Sequence, residues 1–315
     1  MARAFVFPGQ GSQAVGMGRA LADAYPQARA VFDEVDEALG ARLSATIWNG
    51  PEDALKLTEN AQPALMATSI AALRALEAEG AALAGHARFV AGHSLGEYTA
   101  LCAAGTFSVA DAARLLRLRG RAMQEAAPVG AGAMAALLGL DIEVAQAVAD
   151  EASAHGVCEA ANDNAPGQVV VSGARAAVEA AVELAAARGA KRAVLLPVSA
   201  PFHCAMMAPA AETMRAALAE TAMRAPTVPL VSNVKAEGVS DPDEIRALLV
   251  AQVTGAVRWR ESVVWMAAQG VTELVEIGAG KVLTGLAKRI DRGLLARAVN
   301  GPEDAAAFAA SLAEA

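Results

Sequence analysis

Apolar and polar positions along the chain alternate between two periods. Residues 4–7 (Ala-Phe-Val-Phe) form a short, wholly apolar run, the pattern of a buried strand, and lead into Pro8-Gly9-Gln10-Gly11-Ser12-Gln13. After Pro63, Met66, Ile70 and Leu73 recur at the spacing of one helix face. A second strand is expected at 89–91, then a helix after residue 96, then another opened by Asp111 and closed by the 128–132 loop. From 132 to 196 the pattern predicts strands at 134–138, 157–160, 169–172 and 193–196. Helices are expected at 141–153 and 178–188, with a turn-rich stretch at 162–167. That order, βαββαβ, predicts a ferredoxin-like unit over 129–197 inserted into a larger domain made of 1–128 and 198–315. In the larger domain, strands near 229–231, 274–277 and 296–299 alternate with helices at 244–253, 261–269 and 282–290. Such alternation predicts an α/β fold with a mostly parallel sheet covered by helices.

Composition narrows the functional classes. The chain has 315 residues, a net charge of −8 and three cysteines. No basic run appears, which argues against a nucleic-acid partner held through phosphates. No apolar stretch approaches the roughly 20 residues of a membrane span, and the start of the chain lacks the layout of a secretory leader. Cys102, Cys158 and Cys204 lack C-x-x-C spacing, so a reduced cytoplasmic protein without structural zinc is expected, with no metal and no cofactor.

Gly92-His93-Ser94-Leu95-Gly96 carries the chemistry. A strand-like run precedes it and good helix formers follow, the context in which G-x-S-x-G presents a serine on a sharp strand-to-helix turn. The alternative is an ordinary glycine-rich turn with a capping serine. As the first residue of the new helix, Leu95 has its N–H placed to receive developing negative charge. A serine hydroxyl needs a base, and the chain has four histidines. His93 belongs to the turn itself and is expected to pack away from the hydroxyl; His86 and His155 lie in polar connections. His203 follows a strand end, where doubly wound sheets place chemistry, and is the candidate base. No acid stands beside it, and a backbone carbonyl can hold the imidazole instead.

The Gly9–Gln13 loop does not satisfy G-x-G-x-x-G, and 278–282 (Gly-Ala-Gly-Lys-Val) does not complete a P-loop, so no nucleotide site is expected. The loop's flexible backbone near Gln10 can instead offer an oxyanion N–H. Arg119, among Arg114, Arg117 and Arg121, reads either as part of a solvated helix face or as an anchor for a carboxylate.

Taken in order, 7–13, 92–98, Arg117-Leu118-Arg119-Gly120, Pro201-Phe202-His203 and 277–283 resemble the malonyl-CoA:acyl-carrier-protein transacylases of type II fatty acid synthesis. The resemblance runs from about residue 4 to about 291. It implies an α/β-hydrolase-like core and a ping-pong transfer of malonyl from malonyl-CoA to the phosphopantetheine thiol of acyl carrier protein. It further implies Ser94 as acylated nucleophile, His203 as base, and Gln10 and Leu95 as oxyanion donors. Arg119, Gln252 and Phe202 form the substrate-binding set: the resemblance implies Arg119 for the malonyl carboxylate and Gln252 through a carbonyl that orients the histidine, while Phe202, just before the histidine, reads either as narrowing the pocket against branched acyl groups or as a core aromatic. A cytoplasmic monomer is expected. Two rival classes remain. An α/β-hydrolase-type esterase orders its triad Ser, Asp or Glu, His, and Asp111, Asp141, Asp150 and Asp163 all lie in that interval. A non-catalytic carrier-protein docking module is disfavoured by the intact Ser94 and His203.

Overall fold

The computed structural model describes residues 1–313 and contains two sheets. In chain order the strands are β1 (Arg3–Phe7), β2 (Phe89–Gly92), β3 (Gly132–Leu138), β4 (Cys158–Ala165), β5 (Gln168–Ala174), β6 (Arg192–Leu195), β7 (Leu230–Val231), β8 (Gly238–Val239), β9 (Glu273–Ile277) and β10 (Leu295–Val299). The larger sheet has the order β10-β9-β1-β2-β7-β8, parallel throughout except for the β7–β8 pair. The smaller sheet, β4-β5-β3-β6, is antiparallel. This is the mixed α/β arrangement the alternation predicts.

β1 lies in the middle of the larger sheet, and its side chains divide between two faces because successive residues of a strand point in opposite directions. Phe5 and Phe7 enter one apolar cluster with Phe32, Leu65 and Leu95, while Ala4 and Val6 enter another with Trp259, Val263 and Met266. Helices cover both faces, which is why the strand reads as a continuous apolar run. The same parity divides the small sheet. Ala133, Ala135 and Leu137 pack beneath helices Ile142–Ala152 and Arg175–Ala187, whereas Met134 joins the large core. The two sheets are therefore joined by packing. An isolated bridge between Asn162 and Val257 adds to this, as does the Arg260 guanidinium 2.9 Å from the Asp163 carboxylate.

Several boundaries differ from expectation. The stretch 162–167 is not one long turn. β4 continues through Ala165 because it stays paired with β5 as far as Ala165 opposite Gln168, Asp163 N–H also donates to the Val257 carbonyl, and the turn narrows to Pro166–Gly167 with Gly167 at φ 68°. The helix expected after Pro63 begins earlier, at Thr58, and carries Pro63 inside its first turns. The next helix spans Val109–Glu125; Ser108 caps it by accepting from Asp111 N–H, so Asp111 lies within the first turn and is not the opening residue. Four helices between Arg19 and Lys56, three more at Leu83–His86, Ala208–Glu220 and Pro302–Ala313, and strand β8 are additional to the expected elements. Among the described residues no helix is long and apolar enough to cross a membrane.

Candidate active site

The loops that follow β1 and β2 meet, because Phe7 and Gly92 are register partners at the C-terminal ends of adjacent parallel strands. His93 N–H donates to the Phe7 carbonyl at 3.1 Å, which holds the second loop against the first. Ser94 has φ 55° and ψ −111°, a conformation L-residues rarely adopt. Both flanking glycines are demanded by close approach. A Cβ on Gly92 would lie 1.9 Å from the Gly96 carbonyl oxygen, and one on Gly96 would lie 2.3 Å from that of Phe7. The turn is fastened from the sheet by Asn233, which accepts from Ser94 N–H at 2.8 Å and donates to the Gly92 carbonyl at 2.7 Å.

Ser94 Oγ lies 2.8 Å from His203 Nε2. On the far side of the ring, Nδ1 donates to the Gln252 carbonyl at 2.9 Å and lies 3.2 Å from that of Gly255. Two carbonyls acting on Nδ1 leave Nε2 as the lone pair that accepts the serine proton. Burial, reinforced by the Arg119 charge, pushes the His203 imidazole down to about 3. The ring is therefore neutral near pH 7. None of Asp111, Asp141, Asp150 or Asp163 takes part: the first bonds Ser108 and Arg114, the second starts a helix, the third bonds Gln146 and the fourth pairs with Arg260. The hydrolase-type triad thus has no carboxylate here.

The structure sets aside the solvated-face reading of Arg119. Arg114 and Arg121 are exposed and Arg117 half-buried, whereas Arg119 is 1% exposed, on the face of the helix Val109–Glu125 that carries Leu115, Leu116 and Met123. The next residue, Gly120, lets the helix touch Thr58–Ala78: a Cβ there would meet Glu59 Cα at 2.6 Å. The guanidinium donates to Gln62 Oε1 at 2.9 Å, to Gln252 Oε1 at 2.8 Å and to Ser94 Oγ at 3.3 Å, with the Tyr98 ring 5.6 Å away. All its hydrogen-bond partners are neutral.

These groups open into a cavity of about 710 Å³ lined by Gln10, Ser94, Leu95, Arg119, Phe202 and His203, with Met134 and residues 196–199 closing it from the small-sheet side. Among the described residues neither the Gln10 nor the Leu95 backbone N–H donates a hydrogen bond, so both donors are free. Phe202 is buried and lines the cavity. Gln252 departs from expectation as a substrate contact. It is fully buried behind Arg119 and Ser94 and lies outside the cavity lining, so it reaches a ligand only through other residues. His93 packs against Trp259, binds Asn164 at 2.8 Å and also borders the cavity. Residues that the sequence reading passed over are Gln62, Asn233 and Glu97. Glu97 is fully buried, accepts from Gln252 at 2.6 Å and from Asn233 N–H at 3.3 Å, and is pushed up to about 7 by burial. A charged residue within an apolar helix directly after the serine turn was its available signal.

A neutral base on a serine, free N–H donors and a buried cation at the end of one cavity suit acyl transfer from an anionic acyl group. Comparison with known proteins bears on this. Residues 4–294 match the family described as acyl transferase domain. The chain is 48% identical over 304 residues to the malonyl CoA-acyl carrier protein transacylase of Escherichia coli (strain K12), covering 96% of this chain and 97% of that protein. It is similar to the crystal structure of acyl-carrier-protein-S-malonyltransferase from Bartonella henselae, with 55% identity and a TM-score of 0.97 over 99% of this chain and 100% of that one. A solved complex of a type II PKS acyl-carrier protein with its malonyl-transacylase is similar at 43% identity, with a TM-score of 0.95 over 99% of this chain and 100% of that one.

Proposed function

This chain belongs to the acyl transferase family, and from that premise we propose that it transfers malonyl groups from malonyl-CoA to the phosphopantetheine thiol of acyl carrier protein, supplying fatty acid synthesis. The observation that carries the reading is the buried Arg119 guanidinium 3.3 Å from the Ser94 hydroxyl. A carboxylate brought into an apolar cavity needs a hydrogen-bonded counter-charge, and a planar guanidinium supplies two parallel donors.

In the first half-reaction the Ser94 hydroxyl passes its proton to His203 Nε2 as Oγ bonds to the thioester carbonyl carbon. The Leu95 and Gln10 N–H groups receive the oxyanion. Collapse breaks the C–S bond, and the departing thiolate of coenzyme A takes the proton from His203. The second half runs in reverse: His203 deprotonates the pantetheine thiol, sulfur attacks the malonyl ester, and Ser94 recovers its proton. Both thiols enter through the same cavity, between 1–128 with 198–315, read as an α/β-hydrolase-like core, and 129–197, read as a ferredoxin-like insert. Phe202 narrows the acyl end against branched groups. A cytoplasmic monomer completes the reading.

Intact mass spectrometry after mixing with malonyl-CoA tests the proposal. One malonyl adduct is expected on the wild type and none on Ser94→Ala; an adduct persisting on the variant sinks the assignment. Cys102, eight residues on in the same helix, is the position to check for stray acylation, and its burial, which pushes the thiol up to about 12, argues that it stays unmodified.

A further inference from the structure

The cation that awaits the malonyl carboxylate has no ion-pair partner among the described residues: Gln62, Gln252 and Ser94 are its only hydrogen-bond acceptors. A buried, unpaired charge is costly, so some balancing charge is expected nearby. The buried carboxylate in reach is Glu97. It stands one side chain behind Arg119, since the Gln252 amide accepts from the guanidinium at 2.8 Å and donates to Glu97 Oε2 at 2.6 Å. We propose that Glu97 is the counter-charge of Arg119 in the empty site and takes up a proton when a malonyl carboxylate replaces it, making Glu97 a determinant of selectivity between anionic and neutral acyl groups. This rests on Arg119 being the malonyl anchor.

The surroundings of Glu97 suit a group that is readily protonated. It is fully buried. Oε2 accepts from Gln252 and from Asn233 N–H, while Oε1 has no hydrogen-bond partner; the neighbouring Ser232 hydroxyl, also unpartnered, does not reach bonding geometry. The charged or titratable groups on the packed elements are Arg119 on Val109–Glu125, Tyr98 on its own helix, and His203, linked only through Gln252. Burial raises the Glu97 carboxyl to about 7 against the hydrogen bonds from Gln252 and Asn233 and, to a smaller extent, the charge of Arg119, all of which pull it down. A bound malonyl carboxylate neutralises the pull of Arg119 and adds a like charge, and both effects raise the carboxyl further. An acetyl group does neither, so it leaves the protonation of Glu97 as it is in the empty site. Malonyl use should then weaken relative to acetyl use as pH rises above 7, because the proton needed becomes scarcer.

Proton uptake is the direct readout. The Ser94→Ala protein is titrated with malonyl-CoA and with acetyl-CoA at pH 8 in two buffers of different ionisation enthalpy, and the calorimetric difference counts protons. The phosphates of coenzyme A are common to both ligands and cancel. A substantial fraction of a proton should be taken up with malonyl-CoA beyond that with acetyl-CoA, and Glu97→Gln, which keeps an acceptor for Gln252 and Asn233, should abolish the excess. In the catalytically intact enzyme, the malonyl-to-acetyl ratio of kcat/KM should fall by up to about tenfold between pH 7 and 9 and become flat in Glu97→Gln. No excess uptake with native Glu97, or the same excess in Glu97→Gln, overturns the proposal; the first result needs no folded variant. Failure of the Arg119 reading shows separately, as equal weakening of both ligands by Arg119→Ala.

Discussion

The guanidinium of Arg119 lies 3.3 Å from Ser94 Oγ, so the group that would hold the free carboxylate and the group that would attack the thioester face one point in the cavity. Their separation along the chain is 25 residues, and the approach depends on Gly120 allowing two helices to touch. In the proposed reaction a malonyl ester on Ser94 would therefore keep its carboxylate within reach of the guanidinium through both half-reactions.

Replacing Arg119 should change selectivity more than competence. Arg119→Ala leaves a carboxylate unpaired in the cavity, a penalty of about 2–5 kcal/mol on malonyl transfer, while acetyl transfer loses little. Arg119→Lys should restore only part of malonyl transfer, because it keeps the charge without the paired donors. Measured kcat/KM values for both thioesters check this, and proportional losses for the two would return Arg119 to a structural role.

His203→Ala should slow acylation by about 10²–10⁴, the usual range for a positioned base. Asn in place of Asp111, Asp141, Asp150 or Asp163 should cost far less, since none of the four bonds the imidazole. Stopped-flow acylation rates decide the matter; an Asp variant that matches the His203 loss while remaining folded would restore the hydrolase triad.

Asn233→Ala should impair the enzyme without touching substrate. Its amide holds both Ser94 N–H and the Gly92 carbonyl, so removal leaves two buried backbone groups unsatisfied and frees a strained φ. Each orphaned group costs about 1–3 kcal/mol. Thermal unfolding should show the lower stability, and kcat should fall more than KM rises as the serine leaves its aligned position. An unchanged kcat would mean that the turn holds itself.

Two buried groups give opposite pH dependences of stability. His203 is held near 3 in the fold against 6.5 when exposed, so the unfolded chain binds the extra proton and stability is lost as pH falls from 6.5 toward 3. Glu97 is held near 7 against 4.5, so its contribution is full below 4.5 and is lost as pH rises through 7. Glu97→Gln should therefore be more stable than the wild type at pH 8, by up to about 3 kcal/mol, with the advantage vanishing near pH 4.5. Unfolding midpoints across pH 4–9 measure it, and a constant difference would show that Glu97 does not titrate in that range.

Local information in the sequence determined the serine turn, the central strands and the order of elements in the small sheet. Gly92 and Gly96 are readable because a missing Cβ is a property of the residue itself, and β1 because a strand buried on both faces must be apolar throughout. The extent of β4 was not readable: Asn162, Asp163 and Asn164 have turn propensities, and pairing with β5, backed by the contacts of Val257 and Arg260 about a hundred residues away, holds the stretch as strand. The same holds at the site. Ser94 and His203 were legible as chemistry, but which of four clustered arginines faces inward depends on how Val109–Glu125 rotates against Thr58–Ala78. The carbonyl that holds the imidazole was expected from the lack of an acid beside His203, but the burial of Glu97 and the position of Gln252 behind Arg119 are tertiary decisions. Each is an energy between groups distant in sequence, set by which surfaces exclude water from one another.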